Sequence, residues 1–239
     1  MTECCRYAIH QPHYLPYPGF FHKMLNCDGF VILDTCQMKR SSGADVFENR
    51  NRIKTPNGVK WLTVPITRKR KSGITFKEAL IAGSAWRAEH IHKLEAAYRG
   101  SEHFAEGMAL AKAILLPEHR TMAGLGLYCA QISAKMLGIE PRLGILLASQ
   151  KYDRMGIQGD AALIGLCKAL GATEYISGPG GRDYIDPGLF EKAGIELIWQ
   201  EYEPIEYRQQ HGEFEPNLSI IDVIFNIGLE AAATALREA

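Results

Sequence analysis

The sequence lacks any uninterrupted apolar run of about eighteen residues, the length that a membrane-spanning helix requires. Arg6 and Pro12 also interrupt the N-terminal region, where a secretory signal would need its apolar core. These absences argue against a membrane protein and predict one that stays in the cytosol (cytoplasmic). With 239 residues, of which 46% are hydrophobic, the chain can bury one sizeable core, and we expect a single α/β domain over residues 1–239.

Cysteine occurs at only six positions, with no CxxC pair and no spacing typical of a zinc site. Reduced thiols therefore fit the sequence better than disulfides or a metal centre. An excess of charge is also missing, because 27 Lys and Arg residues balance 27 Asp and Glu residues. Proteins that coat nucleic acid need many uncompensated positive charges, so this balance disfavours such a role.

Several motifs of catalysis and binding are absent. Neither GxGxxG nor GxxxxGKS/T occurs, and no serine lies in GxSxG, although Ser149 and Ser177 could still belong to a Ser-His-Asp triad. Cys36 could act as a nucleophile with a loop histidine, but a buried structural thiol is the simpler interpretation. No histidine pair has the four-residue spacing with a glutamate that is typical of a metal site, and we predict no metal.

Segments typical of short apolar strands alternate with segments whose apolar residues recur at helical spacing. The strand candidates are RYAI, FVILD, WLTVPI, LGILLAS, TEYIS and IELIWQEY. A helical block spans about 84–138, with N-caps expected at Ser84 and Ser101, and the last helix opens with Ser219 and Asp222 in the arrangement of a capping box. The alternation predicts an α/β fold: a mostly parallel, Rossmann-like sheet with helices on both faces and this block inserted.

Polar residues are concentrated in the loops that follow the predicted strands. The stretch AIHQPHYLPYPGFFHKM, residues 8–24, carries three histidines, three prolines, two tyrosines and a glutamine, and its prolines favour a rigid loop. Ligands of open parallel sheets bind outside the carboxyl ends of the strands, so we expect these loops to meet in one crevice. The residues expected there are His10, Gln11, His13, Tyr14, Asp34, Gln37, Ser149, Gln150 and the loop SGPGGRDY at 177–184.

Positive charge is concentrated between Lys39 and Lys71, where ten basic residues outnumber two acids. The run RKRK at 68–71 is typical of an exposed, solvated loop. In FENRNRIKTPNG, two asparagines alternate with two arginines in what we interpret as a basic loop, and these side chains can bind a phosphate or carboxylate. The later loop ISGPGGRDYID combines three glycines with Arg182, which favours either an anion-binding loop or a plain tight turn.

Two histidines are candidates for proton transfer near neutral pH. His10 ends a predicted strand, and His211 lies in the polar loop YRQQHGEFEPNLS before the last helix. Histidines within helical patterns are better explained as packed or surface residues, namely His90, His92, His103 and His119.

The motifs AIHQPHYLPYPGFFHKM, FVILDTCQ, NRNRIKTPNGVKWLTVPI, ALGATEYISGPGGRDYID and GEFEPNLSIIDVIFNIG together resemble the WbqC-like protein family over nearly the whole chain. The resemblance implies a bacterial cytosolic protein of polysaccharide or other small-molecule biosynthesis, with N-acyl or aminoacyl transfer to an amino sugar as the expected role. The shared positions are His10, Gln11, Tyr14, Pro16, Gly19, Asp34, Gln37, Asn49, Arg50, Asn51, Arg52, Lys54, Trp61, Ser177, Gly178, Tyr184 and Asp222. The chain departs from the usual pattern at Thr35 and Cys36 and in the longer segment MKRSSGADVFE.

A weaker similarity concerns nucleotidylyltransferase-type enzymes. A strand, a proline-containing loop and GFFHK have a similar layout, in which such enzymes place histidines on ATP phosphates at a helix N-terminus. The paired HxGH motif is missing, because PGF stands at 18–20, so contacts with ATP would fall to His10, His13 or His22.

The leading hypothesis is a transferase that forms an amide on an amino sugar or similar amine. Its donor would be activated as a thioester, as an aminoacyl ester such as an aminoacyl-tRNA, or as an adenylate. The alternatives are an ATP-dependent, adenylate-forming amide ligase and a non-catalytic module that binds a nucleotide sugar. Nucleic-acid binding as the main function ranks last.

Each predicted site residue has a role in this hypothesis. His10 or His211 accepts the proton of the amine, and Asp34 orients the histidine or binds a hydroxyl. The phosphates of the donor or sugar nucleotide are held by Arg50, Arg52 and Arg182. The other predicted substrate-binding residues are Gln11, Tyr14, Gln37, Asn49, Asn51, Lys54, Ser177, Gly178 and Tyr184.

Overall fold

The computed structural model of the chain describes residues 4–38, 47–67 and 73–239. The RKRK run at 68–71, for which an exposed loop is predicted, and most of the segment MKRSSGADVFE lie outside the described residues. Within the described ranges, no helix combines the length and the apolar character needed to cross a membrane.

Seven strands and seven α-helices are formed by the described residues. The strands are β1 (Arg6–His10), β2 (Gly29–Ile32), β3 (Arg50–Thr55), β4 (Gly58–Thr63), β5 (Ile145–Leu147), β6 (Glu174–Ser177) and β7 (Glu196–Trp199). The helices are α1 (Pro18–Leu25), α2 (Ala85–Tyr98), α3 (Phe104–Leu115), α4 (Met122–Leu137), α5 (Gly159–Leu170), α6 (Pro187–Lys192) and α7 (Ile220–Glu238).

A five-stranded parallel sheet has β1 at its centre, in the order β5-β2-β1-β6-β7. In register, Ala8 of β1 lies beside Phe30 of β2 and Ile176 of β6. Counted along the chain, these strands have the 3-2-1-4-5 order of doubly wound dinucleotide-binding folds. The predicted α/β fold is therefore confirmed. Because the winding direction reverses between β1 and β6, the carboxyl ends of these two strands are where such sheets bind ligands.

Helices cover both faces of the sheet, which is why the central strands are almost wholly apolar. Ala8, Phe30 and Ile32 point into the larger core, which also contains residues of α1, α7 and the helical block. Tyr7 and Val31 point to the opposite face and pack with residues of α5 and α6. The alternation of side chains along each strand thus builds two cores, one on each face of the sheet.

The helical block consists of α2, α3 and α4 at the predicted position, but its caps differ from those expected. Ser84 precedes α2 without forming a side-chain cap, and α3 begins after His103. The prediction of a cap at Ser101 is wrong, because its carbonyl accepts a hydrogen bond from Phe104 N in a preceding turn. The cap in this block is Thr121, whose hydroxyl accepts a backbone N–H of the first turn of α4.

The segment around NRNR is a strand and not the predicted basic loop. β3 and β4 form a separate antiparallel hairpin in which Asn51 lies opposite Leu62. Asn51 and Ile53 are buried, whereas Arg50 and Arg52 on the other side of the strand are only partly buried. The alternation of asparagine and arginine is thus the period-two pattern of a half-buried strand.

The start of α7 corrects a second prediction. Ser219 caps the helix by accepting a backbone hydrogen bond, as expected. The capping box is wrong for Asp222, because its fully buried carboxylate accepts hydrogen bonds from the hydroxyls of Tyr98 and Tyr207 instead. The N–H of Ser219, which a capping box would occupy, donates to the carbonyl of Arg52.

Candidate functional site

A cavity of about 480 Å³ lies at the carboxyl ends of the parallel strands, and we call it the cleft. All five strands contribute to its lining through residues at or just beyond their ends, namely His10, Gln11, Leu33, Thr35, Cys36, Ala148, Ser177, Gly178 and Gln200. The cleft lies at the reversal of winding between β1 and β6, and its size is that of a site for a small molecule.

The loop between β1 and α1 is held by hydrogen bonds as well as by its prolines. Tyr14 is fully buried, and its hydroxyl lies 2.8 Å from Nδ1 of His90. Leu15 has a positive φ of 45°, and Asn51 Nδ2 donates to its carbonyl. The carbonyl of Pro16 accepts the first N–H of α7. Tyr14 and Asn51, both predicted to bind substrate, thus hold this loop in place and do not line the cleft.

His10 lines the cleft at the end of β1. Its Nδ1 lies 2.9 Å from the carbonyl oxygen of Gln11, which can only accept a hydrogen bond, so Nδ1 carries the proton and Nε2 keeps a lone pair. Burial lowers the pKa of His10 well below 6.5, and the nearby Lys23 and His13 lower it further. His10 is therefore a neutral imidazole at neutral pH.

His13 packs edge-on against His10, with 4.6 Å between the ring centroids. It is buried, and among the described residues its Nδ1 has no hydrogen-bond partner. Burial is the main cause that lowers the pKa of His13 to about 3, and Lys23 contributes the rest. Two neutral imidazoles therefore lie side by side next to the cleft.

Lys23 of α1 is a functional candidate that the sequence analysis missed. It is only 3% exposed and lines the cleft. No described residue forms a hydrogen bond or an ion pair with its ammonium group; the lowering of its pKa to about 8 comes from burial and is opposed only by Cys27. The sequence gives no local signal for this role, because only the structure shows that seven of the eight residues of the helix PGFFHKML are buried.

The loop after β6 forms a short 3-10 turn over Pro179–Asp183 that borders the cleft. Gly178 precedes this turn, and a Cβ at this position would lie 3.1 Å from Lys23 Nζ. Tyr184 lies at the rim and is 69% exposed. Arg182 is not part of the lining, and its guanidinium lies 5.2 Å from the centroid of an indole ring.

Two residues that follow β2 support the wall of the cleft. The fully buried carboxylate of Asp34 accepts hydrogen bonds from Ser149 N at 2.9 Å and Ser149 Oγ at 2.6 Å, which ties the loop after β2 to the turn after β5. Cys36 lines the cleft, and its thiol donates to the carbonyl of Leu33. Burial raises the pKa of this thiol to about 12, so Cys36 is a poor nucleophile at neutral pH.

The three arginines of the predicted phosphate clamp do not meet in the cleft. The Arg50 guanidinium lies 4.1 Å from the centroid of the Trp61 ring. Arg52 Nη1 bonds Glu215 Oε1 at 2.7 Å, and its Nη2 donates to two carbonyls of the loop before α7. None of the three arginines lines the cleft, and Arg52 fastens β3 to the loop before α7 instead.

Other predicted residues are also engaged away from the cleft. Asn49 donates to a backbone carbonyl of the hairpin, and Gln37 is exposed. Lys54 Nζ donates to Gln209 Oε1 at 2.7 Å and to the backbone carbonyl of Glu213, both in the loop between β7 and α7. His211 Nε2 lies 2.9 Å from a backbone carbonyl at the end of α2. Of the predicted site residues, the structure brings together in the cleft His10, Gln11, Ser177, Gly178 and Tyr184.

A buried carboxylate joins the hairpin to α7. Asp222 accepts hydrogen bonds from Tyr98, Tyr207 and the backbone N–H of Lys54, and burial raises its pKa in spite of them. Together with the contacts of Arg52 and Lys54, these bonds fasten β3 to α2, to α7 and to the loop between β7 and α7. We call Arg52, Lys54, Asp222 and their partners the hairpin clamp.

The charge of the cleft is one-sided. Of the described residues that line it, none is acidic and two are cationic, Lys23 and Arg154. In the described ranges, no group of three or more His, Cys, Asp or Glu side chains is arranged to hold a metal ion. The chemistry that this lining can supply is recognition of an anion by Lys23 and proton transfer by His10.

The comparisons with known proteins agree with one another. The sequence model described as "WbqC-like protein family" matches residues 11–234. The chain is 36% identical over 230 residues to "Uncharacterized protein Rv1507c" of Mycobacterium tuberculosis (strain ATCC 25618 / H37Rv), covering 94% of each protein. No solved structure matches the chain.

Proposed function

The chain belongs to the WbqC-like protein family, and from its cleft we propose that it is a transferase that forms an amide on an amino sugar or similar amine. The observation that carries the proposal is His10, a neutral imidazole with a free Nε2 lone pair inside a cavity to which all five parallel strands contribute. A general base must be neutral before it can accept a proton, and it must lie within reach of the reacting amine.

In the proposed reaction, the amine nitrogen of the acceptor attacks the carbonyl carbon of an activated donor. The new C–N bond forms, the bond from carbon to the leaving group breaks, and the proton lost by the nitrogen passes to His10 Nε2. Gln11 accepts a hydrogen bond from Nδ1 through its carbonyl and thereby keeps the ring in the required tautomer. The loop between β1 and α1 fixes the position of this base relative to bound substrates.

A second candidate is an ATP-dependent amide ligase that first forms an adenylate. The 3-2-1-4-5 strand order favours it, because sheets of this order bind nucleotides at the reversal point where the cleft lies. The two candidates differ in their products, since the ligase releases AMP and pyrophosphate whereas the transferase releases the donor's leaving group. A non-catalytic module that binds a nucleotide sugar would give neither.

The test is a mass-spectrometric search for an amide product. The purified protein is incubated with a nucleotide-linked amino sugar in three separate reactions. The first contains an acyl-CoA, the second an aminoacyl-tRNA, and the third an amino acid together with ATP. The amide is expected in one reaction, with AMP only in the case of the ligase. Tight binding of substrates with no product in any reaction would instead support the binding module.

Replacement of the base then tests the mechanism. His10→Ala is expected to lower turnover about 100- to 10,000-fold, the usual range for loss of a general base. His92→Ala, which changes an exposed histidine of α2, should leave turnover unchanged. Wild-type turnover in His10→Ala, or an equal loss in a well-folded His211→Ala variant, would overturn the assignment of His10.

A further inference from the structure

We propose that Lys23 is the anchor of an anion subsite, where an oxyanion of the substrate, a phosphoryl or carboxylate group, is held between Lys23 Nζ and the backbone at Gly178. The proposal rests on the proposed function only in using the same cleft. It states which chemical group of the substrate lies beside Lys23 in that cleft, and it names a residue that was not among the arginines predicted to hold phosphates.

The first support is the state of the lysine. Lys23 is only 3% exposed, and its ammonium has no hydrogen bond or ion pair with any described residue. Buried cations in proteins are normally paired, because removal of an ammonium from water is costly. The other buried lysine of the described chain, Lys54, follows this rule through its bonds to the loop before α7. A bound anion would supply the partner that Lys23 lacks.

The second support is the composition of the lining. A carboxylate near the lysine would have satisfied it and repelled an anion, yet no acidic residue lines the cleft. Asp34, a buried carboxylate that follows β2, has both oxygens engaged with Ser149. Arg154 adds a second cation to the same lining. The cleft therefore presents positive charge that no acidic residue of the described lining neutralises.

The third support is the shape of the wall beside Lys23 Nζ. Gly178 has an ordinary φ of −72°, so its backbone does not require glycine. A Cβ there would nevertheless lie 3.1 Å from Nζ and occupy the space beside the ammonium. The absence of a side chain at 178 keeps that space open, and lysine is well suited to bind a phosphate as a point charge.

The experiment measures binding of simple oxyanions, so it does not depend on turnover. Thermal unfolding and calorimetric titration are carried out with pyrophosphate, inorganic phosphate and acetate at one total ionic strength set with NaCl. Wild type is expected to bind at least one of them and to unfold at a higher temperature in its presence. A phosphoryl subsite predicts a response to phosphate or pyrophosphate, and a carboxylate subsite predicts one to acetate.

Lys23→Met should weaken binding of the responding anion at least about tenfold, since it removes a charged hydrogen-bond donor. Lys151→Met removes the same charge from an exposed position and should bind like wild type. Equal binding by wild type and Lys23→Met, or the absence of any response in wild type, would overturn the proposal.

A second pair of variants keeps the lysine and changes only the space beside it. Gly178→Ala should weaken anion binding, whereas Gly180→Ala in the same loop should weaken it less, because nothing lies within 4 Å of a Cβ at 180. Equal affinities in these two variants would contradict the subsite even if Lys23→Met failed to fold.

The failure of this proposal can be told apart from the failure of the proposed function. Anion binding that needs Lys23, without any amide product, would support the subsite and reject the transferase. An amide product formed by Lys23→Met at the wild-type rate would support the transferase and reject the subsite.

Discussion

The cleft and the hairpin clamp are both rich in buried polar groups, but they differ in how these groups are paired. In the cleft, the Lys23 ammonium has no partner among the described residues, and the neighbouring His13 leaves Nδ1 unpaired. In the hairpin clamp, Arg52, Lys54 and Asp222 each form several hydrogen bonds with residues distant in sequence. Both regions contain cations that the sequence alone presents as equivalent.

The difference separates residues that can bind a ligand from residues that hold the fold. An unsatisfied buried polar group costs free energy, whereas a satisfied one contributes about 0.5–1.5 kcal/mol per hydrogen bond. Groups in the cleft therefore lower the stability of the free protein and remain available to a ligand. The paired groups of the clamp stabilise the fold and are not available; among the described residues, Arg52 Nε is an exception, since it is buried without a hydrogen-bond partner. Substitutions in the two regions should consequently change stability with opposite signs.

The largest effect is expected in the clamp. Asp222→Ala leaves the buried hydroxyl of Tyr98 and the partly buried hydroxyl of Tyr207 without their acceptor, and each orphaned group costs about 1–3 kcal/mol. The N–H of Lys54 keeps only its bond to the Tyr98 hydroxyl oxygen. We expect the free energy of unfolding, measured by urea denaturation, to fall by about 3–5 kcal/mol. The control Asp222→Asn keeps one carbonyl oxygen and should lose clearly less. A change below about 1 kcal/mol in Asp222→Ala would show that the clamp does not hold the fold.

In the cleft, the expected change has the opposite sign. Lys23→Met replaces a buried ammonium that lacks a partner with an apolar side chain of similar length, and such replacements are neutral or stabilising. We expect the free protein at neutral pH to gain about 1–3 kcal/mol in free energy of unfolding. A loss of stability in this variant would remove the contrast between the two regions.

The gain from Lys23→Met should also depend on pH. The pKa of Lys23 is lowered from 10.5 to about 8, so between these values the unfolded chain binds more protons at this residue than the folded chain does. The destabilisation that Lys23 causes in wild type therefore becomes smaller as pH rises. The gain should therefore be full below about pH 8 and shrink towards pH 10.5. Of the titratable groups that interact with Lys23, His10 and His13 have pKa values below this window. Burial raises the pKa of the Cys27 thiol from 9.0 to about 12, but this thiol is present in both proteins and its effect cancels in their difference. Denaturation of both proteins at pH 7 and pH 10 measures the difference.

The smallest effect is expected from Arg52 of the clamp. Arg52→Met removes the ion pair with Glu215 and the bonds to two loop carbonyls, all at a partly exposed position. We expect a loss of about 1–2 kcal/mol in urea denaturation, since exposed pairs contribute little. Phosphate and pyrophosphate binding should stay at the wild-type level. A selective loss of anion binding at unchanged stability would instead support the prediction that Arg50, Arg52 and Arg182 hold the phosphates of the substrate.

The sequence could predict much of the cleft because the rule behind it is local. Apolar strands followed by polar loops identify strand ends, and the parallel order brings those ends to one edge, which places His10, Gln11, Ser177 and Gly178 together. The NRNR segment could also have been interpreted correctly, because its strict alternation is typical of a strand with one buried side.

Lys23 and Asp222 could not be assigned in the same way. Lys23 looks like an ordinary lysine near the end of a short helix, and its burial arises because α1 packs against α7 and the sheet. Asp222 matches a capping box three residues after Ser219, but tyrosines from α2 and from the loop before α7 take its oxygens. In both cases the deciding neighbours are far away in the chain.

The sequence by itself determined the parallel α/β fold, the helical block and the loops that reach the cleft, because strand and helix periodicity and the ends of apolar segments are local properties. Only the tertiary structure decided which polar side chains in those segments are left without a partner. Pairing depends on residues brought together from across the whole chain, as for Lys54 and Gln209, and on their absence around Lys23.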